Sequence, residues 1–205
     1  MNKAKVFCVG FHKTGTSSLS NALTKLGYRV RTCGPFVVDF ETRNRVCEAA
    51  FAEVEKYDAF QDNPWPIIYQ ELDQKYPGSK FILTTRPTDK WIKSVVGYFG
   101  SKDSSMRKWI YGVGHPEGHE DVYLERYERH YREVREYFQN RPEDILEISI
   151  TEGERWEKLC PFLDKEIPDF DFPYTNKQEN KYKSKMTNLK KKITKKIRSL
   201  SSKLS

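Results

Sequence analysis

Between Val6 and Leu19 an apolar run of strand length passes through Gly10 and Gly15 and turns into a helix. Leu19, Ala22, Leu23 and Leu26 fall on one helical face, and Gly27 stands just past the end, where a left-handed residue commonly closes a helix. A strand, a tight glycine turn and a helix N-terminus make an anion site. The first N–H groups of the helix lack internal partners and point outward with the positive end of the dipole. Lys13 adds a full charge on the turn, and Thr14, Thr16, Ser17 and Ser18 add hydroxyl donors. The stretch reads as a phosphate cradle built from Lys13, Thr14, Gly15, Thr16, Ser17 and Ser18. A glycine turn without a ligand would need neither the lysine nor the four hydroxyls.

The spacing sets this loop apart from the usual nucleoside triphosphate loop, in which a lysine directly follows the second glycine of Gly-x4-Gly. Gly10 and Gly15 keep that separation, but Thr16 fills the lysine slot and the lysine comes earlier, at position 13. The pattern Gly-x-x-Lys-Thr-Gly-Thr-Ser-Ser-Leu resembles the phosphosulfate-binding loop of P-loop sulfotransferases. That resemblance implies that the loop holds the 5′-phosphosulfate of 3′-phosphoadenosine 5′-phosphosulfate (PAPS), the sulfuryl donor.

Farther along, Tyr28–Arg31 suggests a short strand and Val38–Tyr57 a helix with Val46, Ala49, Ala50 and Val54 inward. Asp58–Asp62 is a strand candidate stopped by Asn63-Pro64-Trp65-Pro66, and Ile67–Tyr76 a helix stopped by Pro77-Gly78. Lys80–Arg86 is the clearest strand, nearly all apolar or β-branched, as expected for one buried on both faces of a parallel sheet. Thr88 is placed to cap a helix carrying Trp91, Ile92, Val95, Val96 and Phe99. Val122–Phe138 reads as a further helix, Asp144–Ile150 as a last strand and Trp156–Leu163 as a last helix. The alternation predicts an α/β chain: a three-layer P-loop fold, its mostly parallel sheet flanked by helices. Ligands in such folds bind beyond the carboxyl ends of the strands, where Gly10, Asp62 and Arg86 fall.

Arg86 ends the best strand and Ser94 follows eight residues later on the next helix. A guanidinium clasps a phosphate through two parallel hydrogen bonds and a serine hydroxyl adds another. The pair resembles the sulfotransferase segment that holds the donor's 3′-phosphate, in the family's order behind a matching loop. A surface arginine and a solvent-facing serine would give the same two letters. The resemblance runs from Lys5 to about Asn176, and includes Tyr57–Pro64, Tyr69–Leu72 and Phe172–Asn176. The chain departs from the cytosolic members in lacking their Pro-Lys-Ser-Gly loop and a recognisable glycine-rich cofactor loop near the C-terminus.

The resemblance implies in-line sulfuryl transfer to a hydroxyl or amine, with a small-molecule, glycan or lipid acceptor and no metal. Lys13 would stabilise charge on the bridging oxygen, as positioned cations do in phosphoryl transfer. A general base must take the acceptor's proton. Asp62, at a strand end beside the loop, is the first choice, although an aspartate there also suits a turn or cap. His12, inside the loop, is within reach of donor or acceptor, but a neutral histidine at a surface turn is the favoured reading. His115 and His119 have a metal-like spacing, but Pro116 and Gly118 break the helix that would align them, so no metal site is expected. The stretch Tyr98–Tyr123 is the candidate acceptor wall, by position alone. Two other classes compete: a small Mg-dependent P-loop kinase or NTPase with Asp62 holding the metal, and a non-catalytic nucleotide-binding member.

Composition matters mainly for the tail. The chain carries a net charge of +7, yet ten of its 36 Lys and Arg lie after Glu179 with no acid among them. Taking those away leaves 26 basic against 29 acidic residues, a net of −3. The reading is a sulfotransferase-like domain over 1–178 and a basic amphipathic tail over 179–205. On a helical wheel Met186, Leu189, Ile193, Ile197, Leu200 and Leu204 span an arc of about 80°. Such a helix can lie on an anionic membrane; a solvated tail, or a helix docked on the acidic body, uses the same pattern. No nucleic-acid partner is expected. Cys8, Cys33, Cys47 and Cys160 form no Cys-x-x-Cys pair, and with no export signal they suggest free thiols in a cytoplasmic protein.

Overall fold

The computed structural model describes residues 4–32 and 42–175. Its centre is a five-stranded sheet in the order β2-β3-β1-β4-β5, every neighbouring pair parallel. The strands are β1 Val6–Cys8, β2 Val30–Arg31, β3 Ala59–Phe60, β4 Lys80–Thr84 and β5 Ile145–Ile148. The helices are α1 Thr16–Lys25, α2 Arg43–Val54, α3 Tyr69–Lys75, α4 Thr88–Phe99, α5 Ser105–Tyr111, α6 Glu120–Phe138 and α7 Trp156–Phe162. One face of the sheet is covered by a core drawn from α2 to α6, centred on Phe7, Phe60, Phe81, Trp65 and Trp91. The other face packs on α1 and α7 through Leu19, Leu23, Leu159 and Trp156. This is the expected three-layer arrangement. The chain leaves β1 for β2 and β3 on one side and reaches β4 on the other, so the strand order reverses beside β1. The crevice beyond the strand ends at such a reversal is where ligands bind.

Several boundaries move, each for a local reason. The helix expected from Val38 begins at Arg43, where the Thr42 hydroxyl accepts from the Arg45 N–H at 3.4 Å; residues 38–41 lie outside the described part. The helix expected over Ile67–Tyr76 is divided into a 3-10 turn, Trp65–Ile67, and α3. Thr88 does not cap α4. The Pro87 carbonyl accepts from the Trp91 N–H at 2.8 Å, which makes Pro87 the boundary and Thr88 the first helical residue.

The strand expected to run to Arg86 ends at Thr84, because its partner β5 ends at Ile148 and Ile150 opens a 3-10 turn. Helix α5 was not anticipated, although Ser104 caps it at 3.5 Å and Gly112, at φ 81°, closes it. Cys8, Cys47 and Cys160 are free and buried, and burial pushes the Cys8 thiol far up; Cys33 lies outside the described residues. The chain divides into units Met1–Pro173 and Tyr174–Ser205. The amphipathic helix expected after residue 179 falls outside the described residues. No helix among those described is long and apolar enough to cross a membrane.

Candidate active site

The turn between β1 and α1 is shaped by two glycines with different tasks. Gly10 lies so close to β4 that a Cβ there would sit 2.1 Å from Thr84 Oγ1 and 2.4 Å from the Thr84 carbonyl oxygen. No side chain fits, so the loop can hug the neighbouring strand only with glycine. Gly15 has φ 101°, and its own Cβ would meet Ile150 Cβ at 3.1 Å. Between them Lys13 takes φ 71°, a left-handed conformation uncommon outside glycine. The first bond of α1 runs from the Leu19 N–H to the Gly15 carbonyl at 3.0 Å. The N–H groups of Thr16, Ser17 and Ser18 therefore precede the helical ladder, as an anion cradle requires.

The four hydroxyl residues do not all face a ligand. Thr14 is fully buried; its hydroxyl donates to the Phe11 carbonyl at 2.5 Å and pairs with Thr84 Oγ1 at 2.6 Å. The hydroxyl thus fastens the loop to β4. Thr16 and Ser18 are also buried, whereas Ser17 is half-buried.

Arg86 comes to the same loop. Its Nη1 donates to the Lys13 carbonyl at 3.0 Å, while its Nε is buried with no hydrogen-bond partner. The structure thus brings Lys13 and Arg86 together through the strained residue itself. Ser94 lies on the buried face of α4 with Trp91 and Val95. Trp91 secures the preceding link by donating from Nε1 to the His12 carbonyl at 2.9 Å.

Helix α6 holds the frame rigid, and this went unread in the sequence. Tyr123, Tyr127, His130, Tyr131, Val134 and Phe138 line its buried face. The Tyr131 hydroxyl accepts from the Phe11 N–H at 3.2 Å and donates to the Thr84 carbonyl at 2.6 Å, bridging the loop and β4. The Tyr127 hydroxyl accepts from the Arg86 N–H at 3.2 Å and donates to the Arg86 carbonyl at 2.9 Å. It thereby satisfies the backbone of the residue that follows the end of the β4 ladder. His130 Nε2 lies 2.7 Å from the Val9 carbonyl and donates to it, while its ring stacks on Phe11 at 4.3 Å. Aromatic residues at helical spacing were visible; that their polar tips would seek loop backbone follows from the need of buried hydroxyls for partners.

His12 is not a surface turn residue. It is 5% exposed, with Nδ1 3.3 Å from the Asn63 side-chain amide and Nε2 3.2 Å from the Tyr111 hydroxyl. Burial first, then the charges of Arg107 and Lys13, push its pKa down to about 3. Burial thus holds the ring neutral, and both its nitrogens face protein partners.

Asp62 stands just beyond β3 at φ 67°, half-buried, and its Oδ1 accepts from the Asn63 N–H at 2.9 Å. The peptide bond from Asn63 to Pro64 is cis. The charge of Asp62 reaches Tyr111, which is buried and held far above the ordinary tyrosine range mainly by desolvation. Of the expected acceptor wall, Ile110, Tyr111 and Tyr123 belong to the core. Tyr98 alone of its large apolar side chains is well exposed, at 58%, and carries the Lys13 ammonium 4.1 Å above its ring. His115 and His119 have ring centres 4.8 Å apart, with His115 Nδ1 3.3 Å from Asp103. No group of three or more residues able to hold a metal ion is found among the described residues.

The model of the sulfotransferase-domain family matches residues 5–123 and, in an overlapping segment, 98–181. The chain is also similar to a curated protein of Aspergillus versicolor described as Ava biosynthesis cluster protein M. The two are 28% identical over 213 residues, spanning 83% of this chain and 80% of that one.

Proposed function

The chain belongs to the sulfotransferase-domain family, and from that premise we propose that it moves a sulfuryl group from PAPS to a hydroxyl or amine. The observation that carries the reading is the meeting of two cationic residues on one glycine cradle, with Arg86 bonded to the Lys13 carbonyl. That arrangement suits a donor with two anionic ends. The loop N–H groups, Lys13, Thr16, Ser17 and Ser18 would hold the 5′-phosphosulfate, with Thr14 and Gly15 shaping the turn. Arg86 and Ser94 would hold the 3′-phosphate. The fit has support in the Arg86 Nε, a buried donor without an acceptor, since such a donor is costly unless a ligand satisfies it.

PAPS, when bound, supplies an activated S–O bond whose cleavage leaves adenosine 3′,5′-bisphosphate. The chain's residues supply the rest. Lys13 neutralises the charge that collects on the bridging oxygen as that bond breaks and a new O–S or N–S bond forms. Asp62 takes the acceptor's proton, a role supported by its place at the strand end and by the engagement of both nitrogens of His12. Arg86, anchored by Tyr127, orients the donor and so fixes the line of attack.

The decisive experiment offers labelled PAPS and a panel of sugars, phenols, lipids and peptides to the full-length protein. Transfer to at least one acceptor, unchanged by a metal chelator, is the expected result. A protein that neither transfers sulfate nor binds adenosine 3′,5′-bisphosphate would overturn the reading.

A further inference from the structure

A cleft of about 640 Å³ opens between α3 and α6, lined among others by Arg43, Tyr69, Glu71, Arg126, Glu133 and His130. Its size is that of a small-molecule site. Most of its polar groups are already committed. Arg43 pairs with Glu71 through two nitrogens and donates to the Ile67 carbonyl at 2.8 Å. The Tyr137 hydroxyl, on the same wall, donates to Asp73 at 2.7 Å.

Two groups stand out against that background. Arg126 is 15% exposed and donates from Nε to the Ile110 carbonyl at 3.2 Å, yet its Nη1 is buried without a hydrogen bond. The nearest carboxylate oxygen, on Glu133, is 3.8 Å from Nη1, too far for a hydrogen bond. Desolvation has already lowered the Arg126 pKa, as expected of a cation held without enough partners. Tyr69 is the second. Its hydroxyl accepts from Gln70 Nε2 at 3.3 Å, and no acceptor for its own proton is found among the described residues.

The cleft adjoins the catalytic loop. The His130 ring lines the cleft and stacks on Phe11 at 4.3 Å, and the Arg126 guanidinium lies 5.5 Å from the same Phe11 ring. Tyr111, bonded to His12, feels the charges of both Arg126 and Asp62. The space that carries the unsatisfied donors is therefore next to the Phe11 end of the loop, one residue from His12.

We infer that this cleft is the acceptor's binding site, and that it takes a small hydroxylated molecule with one carboxylate or carbonyl oxygen. The inference rests on the sulfuryl-transfer reading above. That oxygen meets Arg126 Nη1 and the Tyr69 hydroxyl, which satisfies both donors at once. Glu133 and Glu136, also lining the cleft and exposed, repel a ligand of high negative charge. Polyanionic glycans and nucleic acids are thereby disfavoured as acceptors.

The test needs no knowledge of the natural acceptor. Titration calorimetry on the full chain would use 4-hydroxybenzoate as probe, 4-hydroxybenzyl alcohol as its analogue without the carboxylate, and adenosine 3′,5′-bisphosphate separately. Arg126→Gln should weaken 4-hydroxybenzoate about tenfold or more, the size of a lost charged hydrogen bond. The alcohol and the bisphosphate should be unaffected. Equal 4-hydroxybenzoate affinity for both proteins overturns the inference, as does a wild type that binds bisphosphate but no 4-hydroxybenzoate. If Arg126→Gln does not fold, Glu133→Gln decides. It should tighten 4-hydroxybenzoate severalfold by removing the charge beside Arg126, and no change overturns the inference. Failure of the wild type to bind bisphosphate, with 4-hydroxybenzoate binding intact, would instead sink the donor reading and the acceptor role with it.

Discussion

The two sides of the site are built on different principles. The proposed donor side, from Gly10 to Ser18 with Arg86, is mostly backbone: a left-handed lysine, two glycines and the start of a helix, clamped to β4 by hydroxyls. The proposed acceptor side is mostly side chain, with Arg43, Tyr69 and Arg126 coming from three separate helices. A phosphate presents the same geometry in every donor molecule, so a cradle of N–H groups serves it and a short contiguous motif encodes it. An acceptor is recognised by its own outline. Its residues are scattered along the chain, and their pattern carries no local signature.

Removing Lys13 is the severest way to break that contrast. Lys13→Ala takes away the full charge on the turn and leaves the N–H groups in place. The rate of sulfuryl transfer should fall on the order of a hundredfold or more, as when one preorganised donor is lost. Bisphosphate binding should weaken much less, because the cradle N–H groups would still hold the 5′-phosphate, whose leaving oxygen loses only the lysine. Steady-state rates together with nucleotide titration check this; near-normal turnover would show that the cradle alone suffices.

The same division explains what could be read from the sequence. Strand, glycine turn, helix and the Arg86 position were legible because each depends on neighbours within a dozen residues. The parallel character of the sheet followed from alternation, but its strand order did not. The roles of Tyr127, His130 and Tyr131 were not legible, since each acts on backbone more than 40 residues away. His12 was misjudged for the same reason. Its loop position suggested exposure, but Trp91, Phe99, Tyr111 and Asn63 enclose it. Thr14, expected to face the anion, spends its hydroxyl on the loop instead. Helix α5 was missed although its cap and its glycine stop were both present, because seven residues carry too little periodicity to stand out.

A pH titration of stability would sharpen the comparison. His12 lies in the loop and His130 lines the cleft against Phe11, each pushed by burial from 6.5 to about 3. A histidine whose folded pKa lies below its unfolded value binds its proton more readily when unfolded. Its contribution to stability is complete above pH 6.5 and is lost as pH falls from there towards 3. Each should cost about 1.4 kcal/mol per pH unit within that window, so about 2 kcal/mol at pH 5. Denaturant melts from pH 7 to 5 should show the slope, and His12→Gln should remove roughly half of it. An unchanged slope would mean that His12 is not buried neutral, and that the loop is more open than the structure shows.

The smallest expected effect tests whether Arg86 belongs to the donor side alone. Its backbone N–H and carbonyl are fixed by Tyr127, its Nη1 by the Lys13 carbonyl, and its Nε is left over. If that spare donor meets the 3′-phosphate, Arg86→Ala should weaken PAPS at least about tenfold, the equivalent of one charged hydrogen bond. Adenosine 5′-phosphosulfate, which has no 3′-phosphate, should lose much less. The variant also frees the Lys13 carbonyl, and any loosening of the loop would weaken both nucleotides by the same factor. Tyr127→Phe supplies the control. It removes the anchor of the Arg86 backbone but leaves the guanidinium, so its effect on the two nucleotides should be equal and smaller. Competition binding with both nucleotides on the three proteins separates the cases. Equal losses in Arg86→Ala would make Arg86 a brace for the loop, and the 3′-phosphate would then have to find its partner elsewhere.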